Sequence, residues 1–343
     1  MKKSSEYISE SVFNVNSHYT ELQNKTKELF FKCLNENRSS EYFRQEVNKL
    51  WGNIDHRFMD KQIDKLQSLV WENNTKLAID IGRIDNKFIP TEKWVIDKEY
   101  FKLVPEDQFN QLEREFERQV IKNYDRSLKA IQGQDKETYI QKKLERYNEE
   151  INQTIAYFKD GEPIRHVQLS TYLSMLHNTN LTRAGWNQTL SDSEKLNKDE
   201  FIIPYHPFSC PHCYENQNIV LSRAEVENLI NMTLEEGLES NGELLHPNCK
   251  CTLSIYWSID QIQPMIYTTE ENKNMYDIRQ KVNSLTLEKS RIISDMKTQK
   301  ELGNEEAYDK LNQRRNAINE KIRELKEQLP TESLQKQVGA INR

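Results

Sequence analysis

Glycine is scarce in this chain, and long apolar runs are missing. Only nine of the 343 residues are glycine, and apolar residues make up 36% against 30% charged residues. Few glycines leave little material for the phosphate-binding loops and tight catalytic turns of many compact enzymes. No stretch of about 18 apolar residues occurs, so the sequence predicts no membrane-spanning helix. Together these shortages favour an extended, mainly helical protein.

Positive charge is not in excess either. The formal net charge is −6 at pH 7, which gives no overall attraction to DNA or to an acidic membrane surface. The first residues, "MKKSSEYISESVFNVNSHYTELQ", contain two lysines but no apolar core, unlike a secretory signal. We therefore expect a protein made in the cytoplasm, where paired cysteines are metal ligands or redox groups before they are disulfides.

The pattern along the chain predicts four regions. Residues 1–104 read as amphipathic helices followed by a break at 82–104, and residues 105–200 as a helical hairpin with a connecting helix. Residues 201–264 hold five of the nine prolines and four of the five cysteines, and residues 265–343 read as a C-terminal helical hairpin with a frayed tail. The predicted fold is mainly α, with long helical hairpins flanking a small α+β zinc-binding module.

Apolar residues at three- and four-residue spacing define the predicted hairpins. The first hairpin joins helices over 105–131 and 140–158, and a third helix covers 165–190. The second hairpin joins apolar stripes over 278–296 and 311–329 through the turn "LGNE". We interpret these stripes as packing seams rather than ligand grooves, because every amphipathic helix pair needs such a seam. Cys33 lies on one apolar face and is predicted to be a buried, unreactive thiol.

The third region combines short strands with one helix. The segments "FIIPYH" and "CTLSIYW" are rich in apolar, aromatic and β-branched residues, which is typical of strands. Between them, Ser222 and Glu225 have the spacing of a capping box at the start of a helix.

Four cysteines in this region form two tight clusters, "CPHC" at 210–213 and "HPNCKC" at 246–251. Zinc takes about four ligands in a tetrahedron, and a Cys-x-x-Cys turn supplies two thiolates while a second pair returns from elsewhere. Five candidates therefore compete for about four places. They are Cys210, Cys213, Cys249, Cys251 and His246. The spacing alone leaves the fourth place open between Cys251 and His246.

We expect this zinc to be structural, with no catalytic residue in the chain. A catalytic zinc needs an open position and a nearby carboxylate in a suitable place, and the sequence has no HExxH motif. The nearest carboxylates, Glu215 and Glu243, stand in no recognised metallohydrolase spacing. The alternatives are unmetallated thiols, a redox Cys-x-x-Cys, and a zinc-supported DNA-binding protein or nuclease of the His-Asn-His kind, which "HPNC" resembles only superficially.

The second half of the chain resembles the phage minor capsid protein 2 family, which is related more distantly to Mu-type head morphogenesis proteins. The blocks "YHPFSCPHCYENQNIV" (205–220) and "GELLHPNCKCTLSIYW" (242–257) look like the family's two cysteine-bearing blocks. The helix "LSTYLSMLHNTNLTRAGWNQ" (169–188) is similar to the one that precedes them. The likeness is strong over about 165–260, moderate to 330, and only general before 165.

This resemblance implies a structural protein of the virion head, made in a bacterial host, near the portal and acting in head assembly, DNA packaging or DNA delivery. It implies the portal or the major capsid protein as partners, phage DNA as a further one, and no membrane. Many relatives have histidine where this chain has Cys251, which implies that Cys251 itself binds the metal. His206 and His246 are then expected to support the ligands rather than bind the zinc.

Overall fold

The computed structural model describes residues 4–52, 54–80, 103–152, 155–159, 162–206, 209–236, 249–262 and 264–330. These residues form a mainly helical protein, as the sequence predicts, with one two-stranded and one three-stranded antiparallel sheet. The α-helices are α1 (Ser4–Asn35), α2 (Ser40–Trp51), α3 (Arg57–Asp80), α4 (Glu106–Ile131), α5 (Lys136–Tyr147), α6 (Leu169–Lys195), α7 (Pro211–Glu215), α8 (Arg223–Glu236), α9 (Thr269–Glu301) and α10 (Glu305–Glu327). The strands are β1 (Ile155–Lys159), β2 (Glu162–Val167), β3 (Glu200–Ile202), β4 (Val220–Ser222) and β5 (Ser254–Ile255).

Apolar side chains of α1, α2, α4 and α5 pack into one core. Phe30 of α1, Phe43 of α2 and Tyr124 of α4 are fully buried, and the Phe43 and Tyr124 rings stack with centroids 4.0 Å apart. Tyr147, at the end of α5, closes the cluster with its ring centroid 5.2 Å from that of Phe30. Cys33 is also buried in this core, as expected of a small apolar side chain. Hence α4 and α5 are joined to α1 and α2 rather than projecting as a separate arm.

The predicted helix over 140–158 is too long. The α-helix ends at Tyr147, a π-helical turn follows at Asn148–Asn152, and Ile155 and Phe158 lie on β1. β1 pairs with β2 in antiparallel register, with Lys159 opposite Glu162. The Asp-Gly pair between them in the sequence is typical of a two-residue hairpin turn, and this signal outweighs the helical spacing of the apolar residues.

The predicted third helix begins later and ends later than expected. Residues 165–167 belong to β2, and α6 runs from Leu169 to Lys195 instead of over 165–190. α6 packs against α1 and α3, and most of its side chains are buried even though many are polar. A helix buried on so many sides needs hydrogen-bond partners for those polar groups.

The third region contains the predicted strands and helix. β3 lies between β4 and β5, with Phe201 opposite both Leu221 and Ile255. The capping box is present, because the backbone N–H of Ser222 donates to Glu225 Oε2 at 2.7 Å and that of Glu225 to Ser222 Oγ at 3.4 Å. α8 follows and buries Val226 and Ile230 beside the sheet.

The predicted C-terminal hairpin consists of α9 and α10. Gly303 adopts a φ of +72° in the turn, and Ile292, Met296 and Ile318 form the seam between the helices. α9 also lies against α1, where the buried Lys27 forms an ion pair with Asp295.

Two expected features fall largely outside the described part of the chain. The predicted break at 82–104 overlaps it only at residues 103 and 104, and the predicted tail at 331–343 does not overlap it. Among the described helices, none is long and apolar enough to cross a membrane.

Candidate metal centre

The first cysteine pair lies at the start of the short helix α7. Cys210 is the N-cap residue, Pro211 occupies the first helical position, and Cys213 follows within the first turn. Proline suits this place because its missing N–H would have no helical partner there. The Cys210 sulfur accepts a hydrogen bond from the Cys213 backbone N–H at 3.4 Å. The turn therefore fixes both sulfurs by local backbone geometry.

The second pair lies on the segment that leads into β5. The Cys251 backbone N–H donates to the Cys249 sulfur at 3.4 Å. Both side chains are buried, with exposed fractions of 1% for Cys249 and 0% for Cys251. Such N–H donors favour the thiolate form, which is the form that binds metals.

Three of the four sulfurs converge on one point. Those of Cys213, Cys249 and Cys251 all lie within 4.8 Å of one another, so these residues could hold a metal ion. The Cys213 and Cys249 sulfurs are 3.6 Å apart. A tetrahedral site with Zn–S bonds of about 2.3 Å has sulfurs about 3.8 Å apart, so the spacing fits such a site. Cys210 is partly exposed and packs against the same cluster.

His206 lies at the edge of the cluster. Its Nε2 is 3.5 Å from the Cys251 sulfur. Its backbone N–H donates to Oε1 of the buried Gln217 at 3.0 Å, which holds this part of the chain in place. A sulfur and an imidazole nitrogen bound to one zinc are about 3.6 Å apart, so this one distance fits a ligand as well as the expected supporting hydrogen bond. His206 is not in the group of residues whose ligand atoms all lie within 4.8 Å of one another. His246 lies outside the described residues.

The thiols crowd one another strongly. Contact with Cys210 is the largest cause that raises the pKa of Cys213, followed by contacts with Cys249 and Cys251 and by burial. A hydrogen bond with Cys213 lowers the pKa of Cys251, but contact with Cys249 and burial outweigh it and raise that pKa well above its usual value. A bound cation reverses this preference because it stabilises the thiolates directly.

Side chains of α6 bind the backbone of the second cysteine pair. Asn178 Nδ2 and Thr182 Oγ1 both donate to the Cys249 carbonyl, at 2.9 and 3.0 Å. Trp186 Nε1 donates to the Cys251 carbonyl at 3.0 Å. One turn further on, Thr189 Oγ1 donates to the Leu253 carbonyl at 2.9 Å. These four side chains lie three or four residues apart on one face of the helix. The carbonyls that they bind belong to every second residue from 249 to 253.

The sequence analysis did not predict that these four side chains of α6 bind the second cysteine pair. A signal was available, because the four residues are hydrogen-bonding side chains at the spacing of a buried helix face. Their target, 64 to 71 residues away in the chain, carries no local sequence mark.

The opposite side of the cluster is joined to α9. Asn272 Nδ2, in the first turn of α9, donates to the Ser209 carbonyl at 2.9 Å. The Tyr214 hydroxyl donates to the Tyr267 carbonyl just before that helix. The cysteine cluster therefore lies between α6 and the start of the C-terminal hairpin, with hydrogen bonds to both.

One cation lies within the second cysteine pair in the sequence. Lys250 stands between Cys249 and Cys251, and burial together with the nearby Arg279 charge lowers its pKa to about 8. Burial therefore makes the Lys250 ammonium easier to deprotonate than that of an exposed lysine.

Comparisons with protein-family models, with curated proteins and with solved structures find no match to this chain.

Proposed function

We propose that this protein is a non-enzymatic structural component of a bacteriophage head, and that a zinc ion stabilises the junction of its helical parts. The proposal combines two lines of support. The sequence resembles the phage minor capsid protein 2 family over its cysteine-bearing blocks. In the structure, three buried sulfurs converge between helices of the two halves.

Zinc is the metal that suits these donors best. Thiolates are soft ligands that select zinc, copper(I) or iron–sulfur clusters over magnesium or calcium, and buried tetrahedral sites of three or four cysteines are typical of structural zinc. Cys213, Cys249 and Cys251 supply three ligands in this proposal. The fourth comes from the 206–210 stretch, which offers Cys210 and His206. The cysteine pairs and the three-stranded sheet share a core with Trp186, Phe201 and Val226, and a metal would add to the folding free energy that this burial supplies.

The observation that carries the structural role is the placement of the cluster. On one side its backbone carbonyls accept hydrogen bonds from α6, and on the other Ser209 accepts one from Asn272 of α9. A metal that fixes the two cysteine pairs therefore also helps to fix the start of α9, whose further course lies against α1. Such a fixed shape suits a part that docks on a portal or major capsid subunit and performs no chemistry.

Mass spectrometry of purified virions of the encoding phage tests the head assignment. We expect the protein in intact particles, in few copies relative to the major capsid protein. Deleting its gene should still permit shell assembly but reduce infectious particles. Presence in the lysate with absence from particles would refute the virion role.

Incubation of the purified, zinc-loaded protein with plasmid DNA, with and without Mg²⁺, separates the head component from the nuclease alternative. We expect no cleavage in either condition. Cleavage that disappears after Cys213→Ser would favour the enzyme, because the metal would then be needed for the reaction.

A further inference from the structure

A groove of about 630 Å³ runs along α4 beside the π-helical turn Asn148–Asn152. Three of its lining residues are basic, namely Arg118, Lys122 and Arg126. They lie four residues apart, so they follow one another along the same side of the helix at steps of about 6 Å. π-helical turns are rare, and they occur frequently at functional sites.

The two carboxylates of the groove are already in ion pairs. Glu115 binds Arg118 with a separation of 2.7 Å, and Glu150 binds Lys143. Lys122 and Arg126 form no ion pair with any residue that the structure describes, and both are exposed. The unbalanced charge of the groove is therefore positive, although the whole chain carries −6.

The basic row continues beyond the groove in both directions. Arg114 and Lys129 are exposed on the same side of α4, which extends the row over about 22 Å of helix. An open row of this length fits a chain of negative charges better than a single small anion.

The remaining groove residues decide which anionic chain fits. Gln119 and Asn123 line the groove between the cations, and no large apolar side chain is among its lining residues. A bilayer surface is bound through apolar side chains as well as charge, and a groove for an amphipathic peptide helix needs pockets for apolar anchors. Phosphodiester oxygens, in contrast, are bound mainly by Arg and Lys. The amides of Gln119 and Asn123 already donate to Glu115 Oε1 and to the Gln119 carbonyl, so the cations are the groups that favour a phosphodiester chain.

We infer that this α4 groove binds the phosphodiester backbone of a nucleic acid, without reading its base sequence. The inference goes beyond a structural role in the head and does not depend on the metal centre. Binding would be electrostatic and local, because the net charge of the protein repels DNA elsewhere. It should therefore weaken steeply as salt is added.

Fluorescence anisotropy with a short labelled DNA duplex of mixed sequence tests the inference on the full-length, zinc-loaded protein. We expect binding at low salt. The logarithm of the association constant should fall linearly with the logarithm of the salt concentration. In the double variant Lys122→Ala with Arg126→Ala, affinity at low salt should fall roughly tenfold or more. The slope of the logarithm of the association constant against the logarithm of the salt concentration should become shallower by about 1.8, because two phosphate contacts are lost.

A matched control separates the groove from net charge. Lys310 and Arg314 are exposed cations of α10 that pair with Glu306 and Glu288 at 2.6 and 2.7 Å. Replacing both with alanine changes the formal charge by the same amount as the groove variant. This control should leave the slope and the affinity nearly unchanged. Circular dichroism and metal content of both variants should match those of the unaltered protein.

Three results would overturn the inference. One is the absence of duplex binding at low salt, and another is an equal loss of affinity in the groove and control variants. The third is competition in which polyglutamate or vesicles of anionic lipid displace the duplex as well as unlabelled DNA does. That last result would assign the groove to an acidic polypeptide or to a membrane surface.

Discussion

The indole Nε1 of Trp186 donates a hydrogen bond to the carbonyl oxygen of Cys251 at a distance of 3.0 Å. Trp186 is fully buried in the middle of α6, and Cys251 is one of the three converging cysteines. The bond connects the helical body directly to the backbone of a predicted metal ligand. Any change that breaks it should therefore affect both the stability of the fold and the retention of the metal.

Trp186→Phe should destabilise the protein by more than its lost volume explains. Phenylalanine leaves the buried Cys251 carbonyl without this donor, and an unsatisfied buried group costs about 1–3 kcal/mol. We expect this loss in the free energy of unfolding, measured by urea denaturation, together with faster loss of metal to a chelator.

Trp71→Phe is the matched control. Trp71 is also largely buried, but its Nε1 has no hydrogen-bond partner among the described residues. It therefore reports the packing lost when phenyl replaces indole, reduced by the removal of an unsatisfied N–H donor. Equal destabilisation and equal metal loss in the two variants would show that the bond to Cys251 does not matter.

Local sequence patterns were sufficient to predict helices where they agree with the packing of the fold. The stripe ending at Ile131 and the capping box of Ser222 and Glu225 were predicted because their signals lie within a few residues. They were insufficient at Ile155 and Phe158, whose spacing suits a helix but whose neighbours favour a hairpin. In that segment the sequence contains two competing local patterns, the helical spacing of the apolar residues and an Asp-Gly pair that favours a hairpin.

The candidate site was predicted as a set of residues but not as an arrangement. The spacing of Cys210 and Cys213 indicated metal ligands, and the structure brings Cys213 together with Cys249 and Cys251. The closeness of His206 to Cys251 depends on pairing between β3 and β5, which no local pattern reveals. The same holds for the α6 donors, because helix-to-strand register is set by tertiary packing.

Removing the metal should loosen the cysteine segments and the helices that are hydrogen-bonded to them. The core formed by α1, α2, α4 and α5 should stay folded. The purified protein should contain about one zinc per chain, and Cys213→Ser should abolish it. Hydrogen exchange should then rise in residues 209–215 and 249–255, in α6 around Trp186 and at the start of α9. It should stay slow in α4, which packs in a different core.

Cys33→Ser is the control for this experiment. Cys33 is a buried thiol of α1 that lies outside the cysteine cluster, so its replacement should leave the metal content unchanged. A freshly reduced protein without metal, or α4 exchanging as fast as the cysteine segments after Cys213→Ser, would contradict the prediction.

Cys251 should be a ligand and His246 should not. Cys251→Ala removes one of the three converging sulfurs, so the metal should be lost or bound far more weakly. His246→Ala should keep the metal, since Cys251 occupies the remaining place on that segment. Elemental analysis after dialysis measures both, and the reverse pattern would assign the place to His246.

The fourth ligand can be identified by X-ray absorption of the zinc-loaded protein. Zn–S and Zn–N distances differ, at about 2.3 Å and 2.0–2.1 Å, so the numbers of sulfur and nitrogen neighbours can be told apart. If His206 binds, His206→Ala should remove the nitrogen signal and Cys210→Ala should leave it. Four sulfurs in the unaltered protein would return His206 to the supporting role expected from the sequence.

The buried carboxyl of Asp192 should make stability fall as pH rises from about 4 to about 6. Burial raises its pKa to about 6, although hydrogen bonds from Asn74 and Gln188 at 2.8 and 2.7 Å lower it. The unfolded chain has the ordinary pKa near 4, so in this window the folded state holds a proton that the unfolded state has lost. The stability that this proton provides is present below pH 4 and lost above pH 6, and it amounts to up to about 3 kcal/mol.

Asp192→Asn isolates this effect, because both proteins share every other titrating group. Asparagine faces donors from Asn74 and Gln188 with an amide of its own, which imposes a cost that does not depend on pH. Urea denaturation at several pH values between 4 and 7 should therefore show the variant gaining stability relative to the unaltered protein as pH rises, with the gain complete just above pH 6. A difference that stays constant across this range would mean that the Asp192 carboxyl titrates at its ordinary pKa in the folded protein, and that α6 accommodates its charge without cost.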